Sequence, residues 1–287
     1  MSRLLLLLAR RAPWRALRRT AFRKYCRRNA GLALVARCRG GIRLAVEIGD
    51  SVDDQLAVYG VYEPGTTEVL RRLAVDAGAF VDVGCNLGYY GCLVGAENPA
   101  LPVVAIDANP AMVERAEDNM RRNEVDGAEV LHCGVGAEEG RLELSVPRDR
   151  HSLSSFAYVP KKGGPSETIT VPVRPLGPIL SERALASCLL KIDAEGFEYE
   201  VFRGLGAGGV DRVERIVCEI SVPNLGRAGR ELAELFALPV FEEFRPFRIR
   251  ETVRDPLRET SYAELADDPS QHGNVLLVRR DAAAPLL

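Results

Sequence analysis

The sequence predicts an α/β fold in which a largely parallel sheet is covered by helices on both faces. Short apolar runs alternate with helical segments from about residue 80 to residue 220, which is the pattern of parallel strands joined by crossover helices. A glycine-rich turn follows the first buried run, and an acidic residue ends the second. The chain has 287 residues, 47% of them hydrophobic, which is enough to bury one large core.

The individual elements follow from apolar periodicity and from turn residues. Strands are predicted at residues 42–48, 80–83, 103–106, 129–133, 189–192, 215–220, 240–244 and 274–278. Helices are predicted at residues 66–75, 87–97, 110–123, 198–203 and 225–236. Residues 141–146 and 168–173 predict a hairpin with a long loop. Because no crossover helix separates the final pair of strands, we expect a sheet of about seven strands whose last strand is antiparallel.

Charge is distributed unevenly along the chain. Residues 1–43 contain thirteen Arg or Lys and no acidic residue, whereas the remainder carries 25 basic and 40 acidic residues. We therefore expect a basic N-terminal arm at residues 1–45, one acidic domain at residues 46–280 and a flexible tail at residues 281–287. An acidic body argues against nucleic acid as a partner, since phosphate backbones need a basic surface.

The basic arm has an apolar repeat of helical spacing. Trp14, Leu17, Ala21 and Tyr25 recur at intervals of three and four residues, with arginines between them. A basic amphipathic helix of this kind suits an anionic membrane surface, so peripheral membrane contact through residues 1–30 is one expectation. A solvated or locally packed arm is the alternative.

Cysteine and histidine usage is typical of a cytoplasmic protein. The seven cysteines form no C-x-x-C pair and mostly lie in apolar runs, as buried thiols in a reducing compartment do. The three histidines stand at no metal-ligand spacing. We expect a cytoplasmic chain, attached to the membrane at most peripherally, and we predict no metal-binding residues.

The sharpest local signal is Val-Asp-Val-Gly-Cys-Asn-Leu-Gly at residues 81–88, where a buried strand turns into a helix. Glycines at such a turn let the backbone adopt positive φ and approach a ligand. Asp107 ends the next strand, where a carboxylate can accept hydrogen bonds from ribose hydroxyls. We predict that Gly84, Asn86 and Gly88 hold a nucleotide-like cofactor together with Asp107.

The charge around this loop favours a cationic ligand over a diphosphate. The spacing is G-x-x-x-G rather than the dinucleotide pattern G-x-G-x-x-G, and no Arg or Lys lies in the loop or in the next dozen residues. Asp82 precedes the loop, and Glu63 is expected nearby. This arrangement suits a sulfonium and an ammonium group. Gly134 and Val135 follow the third strand and are expected at the adenine end of the ligand.

A second acidic cluster follows the strand at residues 189–192. Lys191, Asp193, Glu195 and Glu198 surround the end of this strand. If the strand lies beside the glycine-loop strand, three acids stand where a transferred group would lie. The alternative for Glu195 and Glu198 is that they only favour the positive N-terminus of the following helix.

Together these motifs resemble the FkbM family of methyltransferases over roughly residues 60–222. The matching blocks are residues 81–90, residues 106–110 with Asn119 and Asn123, and residues 190–204 with Glu219. The resemblance implies a class I methyltransferase fold, which is a Rossmann-like doubly wound sheet. It implies S-adenosylmethionine (AdoMet) as cofactor and a hydroxyl of a sugar, glycolipid or natural product as methyl acceptor. Cofactor-binding roles for Tyr89 and Asn109 come from the same matching blocks.

Three positions depart from the pattern of this family. Asp107 stands where a glutamate is usual and keeps the carboxylate with one methylene less. Cys85 replaces an alanine, and Gly177 replaces an aspartate that commonly follows the hairpin. None of the three changes removes the predicted cofactor site, but the last leaves no loop acid at that position.

Methyl transfer from a sulfonium depends mainly on alignment, worth about 7–11 kcal/mol, and on proton removal from the acceptor, worth about 10²–10⁴-fold. We expect Asp193 to be the base, with Glu195 or Glu198 as its partner or as a substrate contact. Lys191 is expected to keep these acids ionised. A divalent ion held by Asp193, Glu195 and Glu219 stays open but is not required.

Two other functions stay open on the sequence alone. One is an NAD-dependent oxidoreductase on a similar sheet, and the other is a non-catalytic AdoMet-binding module docked on a membrane by the arm. The acidic surroundings of the glycine loop disfavour the oxidoreductase. No Pro-Pro-aromatic loop follows Asp193, which argues against a nucleic-acid base as acceptor. Residues 151–164 are expected to form part of a lid over the acceptor or a solvated loop.

Overall fold

The computed structural model describes residues 2–11, 15–147, 154–156, 165–267 and 272–282. Its strands are β1 (Ala33–Arg37), β2 (Arg43–Glu47), β3 (Ala79–Val83), β4 (Val103–Asp107), β5 (Ala128–His132), β6 (Gly134–Val135), β7 (Gly140–Pro147), β8 (Ser166–Arg174), β9 (Cys188–Ile192), β10 (Val213–Ser221), β11 (Phe244–Ile249), β12 (Leu257–Glu259) and β13 (His272–Arg279). Its helices are α1 (Ser2–Arg11), α2 (Arg15–Arg28), α3 (Ser51–Tyr59), α4 (Pro64–Leu73), α5 (Tyr89–Glu97), α6 (Pro110–Arg122), α7 (Leu176–Glu182), α8 (Glu198–Val210), α9 (Val222–Arg227), α10 (Leu232–Phe236) and α11 (Tyr262–Ala266).

The central sheet confirms the predicted doubly wound α/β architecture. Its strand order is β12-β11-β13-β10-β9-β3-β4-β5. The five strands from β10 to β5 are parallel, and β13 runs antiparallel between β10 and β11. The short edge strand β12 makes eight strands where about seven were expected. The order reverses at β3 and β9, whose ends are the usual place for a ligand in such sheets.

Hydrophobic residues fill both faces of the sheet because β3 and β9 lie at its centre. Every residue of these two strands is buried. Val81 and Leu190 pack into one apolar layer with α7 and α8, whereas Phe80 and Leu189 pack into the other with α4 and α5. The alternation of side chains along each strand produces this division.

The predicted hairpin is confirmed but does not join the central sheet. β7 and β8 pair antiparallel from Gly140 to Pro147, and β6 pairs with β8, so the three strands form a separate small sheet. This sheet follows β5 directly in the chain. Its strand β6 contacts β4, and Leu144 of β7 helps to line a cavity.

Several predicted element boundaries were wrong. The helix expected at residues 225–236 is two short helices, α9 and α10, separated by a turn in which Gly229 has φ +74°. The strand expected at residues 240–244 is a 3₁₀ helix, Pro239–Glu243, and β11 begins only at Phe244. Proline cannot donate a ladder hydrogen bond, and it suits the first turn of a helix, which accounts for the difference.

The predicted end of α8 was also wrong, because the glycines after residue 203 were interpreted as the end of the helix. This helix continues past its expected end at residue 203 to Val210, with one non-helical residue, Gly206, inside it. Packing of Leu205 against the sheet holds the chain close to helical geometry through the glycines. Tertiary contacts here override low helix propensity.

The N-terminal arm is helical and packed against the rest of the chain. α1 and α2 contact α3 and the end of β2 through buried Ala9, Ala21, Tyr25, Ile48 and Val58. Two members of the predicted membrane-facing repeat therefore lie inside the protein, and the tryptophan of that repeat is outside the described residues. Among the described residues no helix has the length and apolar character needed to cross a bilayer.

The domain boundary expected at residue 45 falls within β2. The backbone N–H groups of Arg43 and Ala45 donate to the side-chain oxygens of Asn123 and Asn119, at 2.8 and 2.7 Å. These two asparagines of α6 tie β2 to the sheet layer. The division into an arm, one domain and a tail stays a proposal, and most of the tail is outside the described residues.

Candidate active site

A cavity of about 290 Å³ opens where β3, β4, β9 and β10 end. Both predicted motifs reach it. The glycine loop and Asp107 form one side, and the end of β9 with Glu219 of β10 forms the other. Lys191 is the single Lys or Arg among the described residues of its lining, which also contains the carboxylates of Asp82, Asp193 and Glu195.

Gly84 is required by the close approach of the glycine loop to β9. Its φ is +78°, and a Cβ at this position would lie 1.9 Å from the carbonyl oxygen of Asp193. Any side chain would therefore separate the ends of β3 and β9. This contact confirms neither a ligand nor its identity, but it brings the two acidic motifs to one point.

Gly88 has a packing role in the structure. Its φ is +82°, and a Cβ there would lie 3.1 Å from the Cα of Ala116 in α6. It does not line the cavity, unlike Gly84 and Asn86. The G-x-x-x-G spacing thus combines one glycine at the site with one glycine that lets α5 approach α6.

Asp107 is held by two backbone donors at the end of β4. Its carboxylate accepts from the N–H groups of Asn86 and Asn109, both at 2.8 Å. Burial raises the pKa of Asp107 to about 6, although both hydrogen bonds act to lower it. Each carboxylate oxygen keeps acceptor capacity for a further donor from the cavity.

Asn109 lies behind Asp107 rather than on the cavity lining. It caps α6 by accepting from the backbone N–H of Ala111 at 3.0 Å, and its amide donates to Ser154 at 3.3 Å. The structure therefore gives Asn109 a positioning role for the loop that holds Asp107.

Asp82 is a buried carboxyl group that faces the cavity from β3. It is 1% exposed, and its Oδ2 atom has no hydrogen-bond partner among the described residues. Burial raises the pKa of Asp82 to about 7, and the charge of Lys191 opposes that shift. An orphaned buried acceptor of this kind calls for a donor from a bound ligand.

Glu63 lies one layer deeper than predicted. It precedes α4 with φ 41°, and its carboxylate accepts from the hydroxyl of Tyr90 at 2.7 Å. Burial raises the pKa of Glu63, while Lys191 opposes the shift. Tyr90 and not Glu63 lines the cavity, so Glu63 acts on the site through its neighbours.

Lys191 is fully buried at the centre of the acidic cluster. Its Nζ lies 3.4 Å from Oδ2 of Asp193 and 5.8 Å from the ring centroid of Tyr90. Burial alone would lower the pKa of Lys191, but the charges of Asp193, Glu63 and Glu219 raise it above its ordinary value. The ammonium group therefore stays charged and balances the surrounding carboxylates.

Glu219 joins the predicted site from β10. The charge of Asp193, burial and a hydrogen bond to Asp193 together raise the pKa of Glu219 well above its ordinary value. A raised pKa favours the protonated form of Glu219 beside the Asp193 carboxyl group. The sequence had grouped Glu219 with Asp193 and Glu195 as acids that could hold a divalent ion, and the parallel pairing of β9 with β10 brings the Asp193 and Glu219 carboxyl groups together.

The loop after β9 places Glu195 and Glu198 differently. Glu195 lines the cavity and has φ 47°, and its carboxylate accepts from the amide of Asn224 at 2.8 Å. Glu198 is off the cavity and accepts from the backbone N–H groups of Ala194 and Gly196, at 3.2 and 3.0 Å. Burial raises the pKa of Glu198 to about 7. Glu198 thus agrees with the helix-terminus alternative, whereas Glu195 lies on the cavity lining.

The opposite end of the cavity is apolar. Gly134 and Val135 line it together with Phe156, and a Cβ on Gly134 would lie 2.5 Å from the Phe156 ring. Tyr89 also lines the cavity, with its hydroxyl 3.1 Å from that of Thr67. The binding of adenine beside Gly134 and Val135 stays a prediction.

Two lining residues, Tyr62 and Phe156, had no motif to reveal them. The hydroxyl of Tyr62 lies near the acidic cluster, since burial and then the charges of Glu63 and Asp193 raise its pKa. Phe156 belongs to the predicted lid at residues 151–164, of which only residues 154–156 are described. Ser155 anchors that piece by donating to the Glu195 carbonyl at 3.0 Å.

The carboxyl groups of the cavity were also considered as ligands of a metal ion. Among the described residues, no group of three His, Cys, Asp or Glu side chains stands close enough together to hold an ion. A divalent ion held by Asp193, Glu195 and Glu219 stays a prediction.

Comparisons with known proteins agree with the motifs. The chain is 25% identical over 162 residues to Methyltransferase 1 of Beauveria bassiana, covering 50% of this chain and 65% of that protein. It is 26% identical over 169 residues to the 31-O-demethyl-FK506 methyltransferase FkbM of Streptomyces tacrolimicus, covering 48% and 64%. The alignments thus span slightly less than two thirds of the lengths of these relatives.

A solved structure is similar to the chain at low sequence identity and low TM-score. The cofactor-bound Rv0187 from MTB is 16% identical, with a TM-score of 0.43 over 77% of this chain and 83% of that chain. The family model of the Methyltransferase FkbM domain matches residues 82–248, a stretch that includes the glycine loop, Asp107 and the β9 and β10 strand ends. The chain therefore belongs to the FkbM family of methyltransferases.

Proposed function

We propose that the protein is an AdoMet-dependent methyltransferase that methylates a hydroxyl group of a sugar, glycolipid or natural product. The observation that carries this proposal is the acid-lined cavity at the ends of β3, β4 and β9. It contains a buried carboxyl oxygen without a partner, on Asp82, and a single cationic side chain, Lys191, that the surrounding acids already engage. Such a site favours a cationic ligand over a diphosphate.

The residues present fit AdoMet. The carboxylate of Asp107 has acceptor capacity for the ribose hydroxyls, and Oδ2 of Asp82 is available for an ammonium donor. Gly134, Val135 and Phe156 offer an apolar slot for adenine. When bound, AdoMet supplies a methyl group already activated on a sulfonium.

The acceptor hydroxyl needs alignment and a proton acceptor. Asp193 lies on the cavity between Lys191 and Glu219. Because Asp193 lies on the cavity and its carboxylate contacts the ammonium group of Lys191, we assign to Asp193 the role of accepting a proton from the acceptor. Glu195, fixed by Asn224, is placed to contact the acceptor. General-base help of this kind is worth about 10²–10⁴-fold in rate.

The experiment uses AdoMet labelled in its methyl group and a panel of alcohols, polyols and amines. We expect transfer of label to hydroxyl-bearing compounds. Asp193→Asn should lower transfer by at least about 100-fold while leaving AdoMet binding within a few-fold of wild type. Unchanged transfer by this variant would refute Asp193 as the base, and label only on amines would refute the hydroxyl acceptor.

The oxidoreductase and the non-catalytic module remain as alternatives with distinct outcomes. Binding of NAD in place of AdoMet would support the oxidoreductase, which the acidic lining disfavours. AdoMet binding without transfer to any acceptor of the panel, in wild type and variant alike, would support a binding module. The intact Lys191–Asp193–Glu219 arrangement favours the enzyme.

A further inference from the structure

Exposed leucines mark the outer face of α1. Leu4 is 57% and Leu7 is 51% exposed, whereas Ala9 is fully buried against Ile48 and Val58. Residues three and four apart share a helix face, so Leu4, Leu7 and the exposed Arg11 form one stripe on the side away from Ala9. The fold uses the inner face of α1 and leaves this outer stripe uncovered.

Both arm helices expose many basic side chains. Their exposed basic residues are Arg3, Arg10, Arg11, Arg18, Arg19, Arg23, Lys24, Arg27 and Arg28. No acidic residue occurs anywhere in the first 43 positions, whereas the rest of the chain is acidic. The charge is therefore concentrated on one outlying structure with two protruding apolar side chains.

We propose that α1 and α2 form a docking surface for an anionic phospholipid bilayer. Leu4 and Leu7 enter the interfacial region, and the arginines contact the headgroups. Helices with few apolar and many basic side chains bind at this depth, because the free energy of burying apolar side chains and the electrostatic attraction to anionic lipid add together. The face differs from the one that the sequence suggested, since Ala21 and Tyr25 are buried within the protein.

The arm is held firmly enough to transmit docking to the rest of the protein. The Arg10 guanidinium donates to the backbone carbonyl of Val58 near the end of α3. Tyr59 of α3 stacks on Phe22 of α2, with ring centroids 5.3 Å apart. These contacts fix the arm to α3 from two helices.

α3 connects this surface to the cavity. Ser51 and Val52, in its first turn, line the cavity, whereas Val58, near its end, packs against the arm. At 1.5 Å per residue the two ends are about 10 Å apart along the helix axis. A single helix thus links the proposed docking surface to the cavity rim.

The test uses sedimentation of the full chain with vesicles of phosphatidylcholine alone or mixed with phosphatidylserine. We expect at least about tenfold tighter binding to the anionic vesicles, weakened when salt rises from about 0.1 M to about 0.5 M. Leu4→Ser combined with Leu7→Ser should weaken binding by at least about tenfold. Val75→Ser, which removes a 77% exposed side chain elsewhere, is the matched control and should bind as wild type does.

Three results would overturn the proposal: equal binding to both vesicle types, no binding to either, or a double leucine variant that binds like wild type. A fourth contrary result is that single-stranded DNA displaces the protein from the vesicles equally well for wild type and for the double leucine variant. That result would identify a surface for polyanions in general and would also overturn the proposal. AdoMet affinity of the double variant should equal that of wild type. Failure of docking is thereby distinguished from failure of the proposed enzyme function.

Discussion

At the residue scale, the site concentrates carboxyl groups around one lysine and leaves one of them without a partner. Asp82, Asp193 and Glu219 all face the same ammonium group of Lys191, from three neighbouring strands or their ends. Burial raises the pKa of Asp82, and the charge of Asp193 raises the pKa of Glu219, so a cationic ligand bound beside these groups would lower both pKa values. Ligand binding and proton release should therefore be linked.

Asp82→Asn tests the electrostatic cost of burying the Asp82 carboxyl group. Burial raises the folded-state pKa of Asp82 to about 7, above about 3.9 in an unfolded chain. The stability that its bound proton contributes is thus full below about pH 4 and is lost as pH rises through about 7. We expect the wild-type free energy of unfolding to fall from pH 5 to pH 8, and Asp82→Asn to reduce that fall by about 1–4 kcal/mol. Urea titrations of both proteins at the two pH values measure the free energy of unfolding. The same change in this free energy between pH 5 and pH 8 in both proteins would contradict the raised pKa of Asp82.

Gly84→Ala tests the contact between the two motifs. Since a Cβ would lie 1.9 Å from the Asp193 carbonyl, at φ +78°, we expect a loss of at least about 2 kcal/mol in unfolding free energy and loss of AdoMet binding. Gly208→Ala in α8 is the control, because nothing lies within 4 Å of its Cβ position. That change should be neutral or stabilising by up to about 1 kcal/mol. Tolerance of alanine at position 84 would show that the strand ends are not held as described.

At the element scale, the loop from β9 to α8 positions Asp193 and Glu195 through backbone contacts. Glu198 receives two N–H groups of this loop, and Asn224 of α9 fixes Glu195. Sequence spacing alone grouped Glu198 with the acceptor contacts. The structure separates it, because one turn of helix directs its side chain back to the loop backbone.

Substitutions of Glu198 separate a positioning role from a catalytic one. Glu198→Gln keeps an oxygen that can accept from Ala194 and Gly196, so transfer should stay within about threefold of wild type. Glu198→Ala leaves those two buried donors unpaired and should cost about 1–3 kcal/mol in stability and at least about tenfold in transfer. Methyl-transfer rates and thermal unfolding of both variants measure the effects. Equal inactivation by glutamine and alanine would instead indicate a catalytic carboxyl group.

At the scale of the whole molecule, periodicity predicted the sheet and its order of elements, because alternating buried strands and helices allow few topologies. The acids at strand ends were predictable for the same reason: Asp107 and Asp193 follow buried strands that pair with β3. Tyr62 and Phe156 were not, since only tertiary packing brings them to the cavity. Gly88 is the opposite case: the motif predicted it as a cofactor-binding residue, but its role in the structure is to let α5 pack against α6.

The packing of the N-terminal arm against the rest of the protein could not be predicted from the sequence either. The repeat through Ala21 and Tyr25 was correctly helical, but periodicity does not say whether an apolar face meets lipid or protein. One apolar partner, Ile48, lies at the end of β2, which the sequence predicted; the other, Val58, lies on α3, where no helix was predicted. Burial against these partners decided the orientation of both arm helices.

Isothermal titration of the purified chain with AdoMet and with NAD tests the central claim, that the acid-lined cavity accepts a cationic methyl donor. We expect saturable binding of AdoMet, no binding of NAD, and affinity for AdoMet at least about tenfold weaker in Asp82→Asn, where a charge-assisted hydrogen bond is lost. Binding of NAD without binding of AdoMet would contradict the claim.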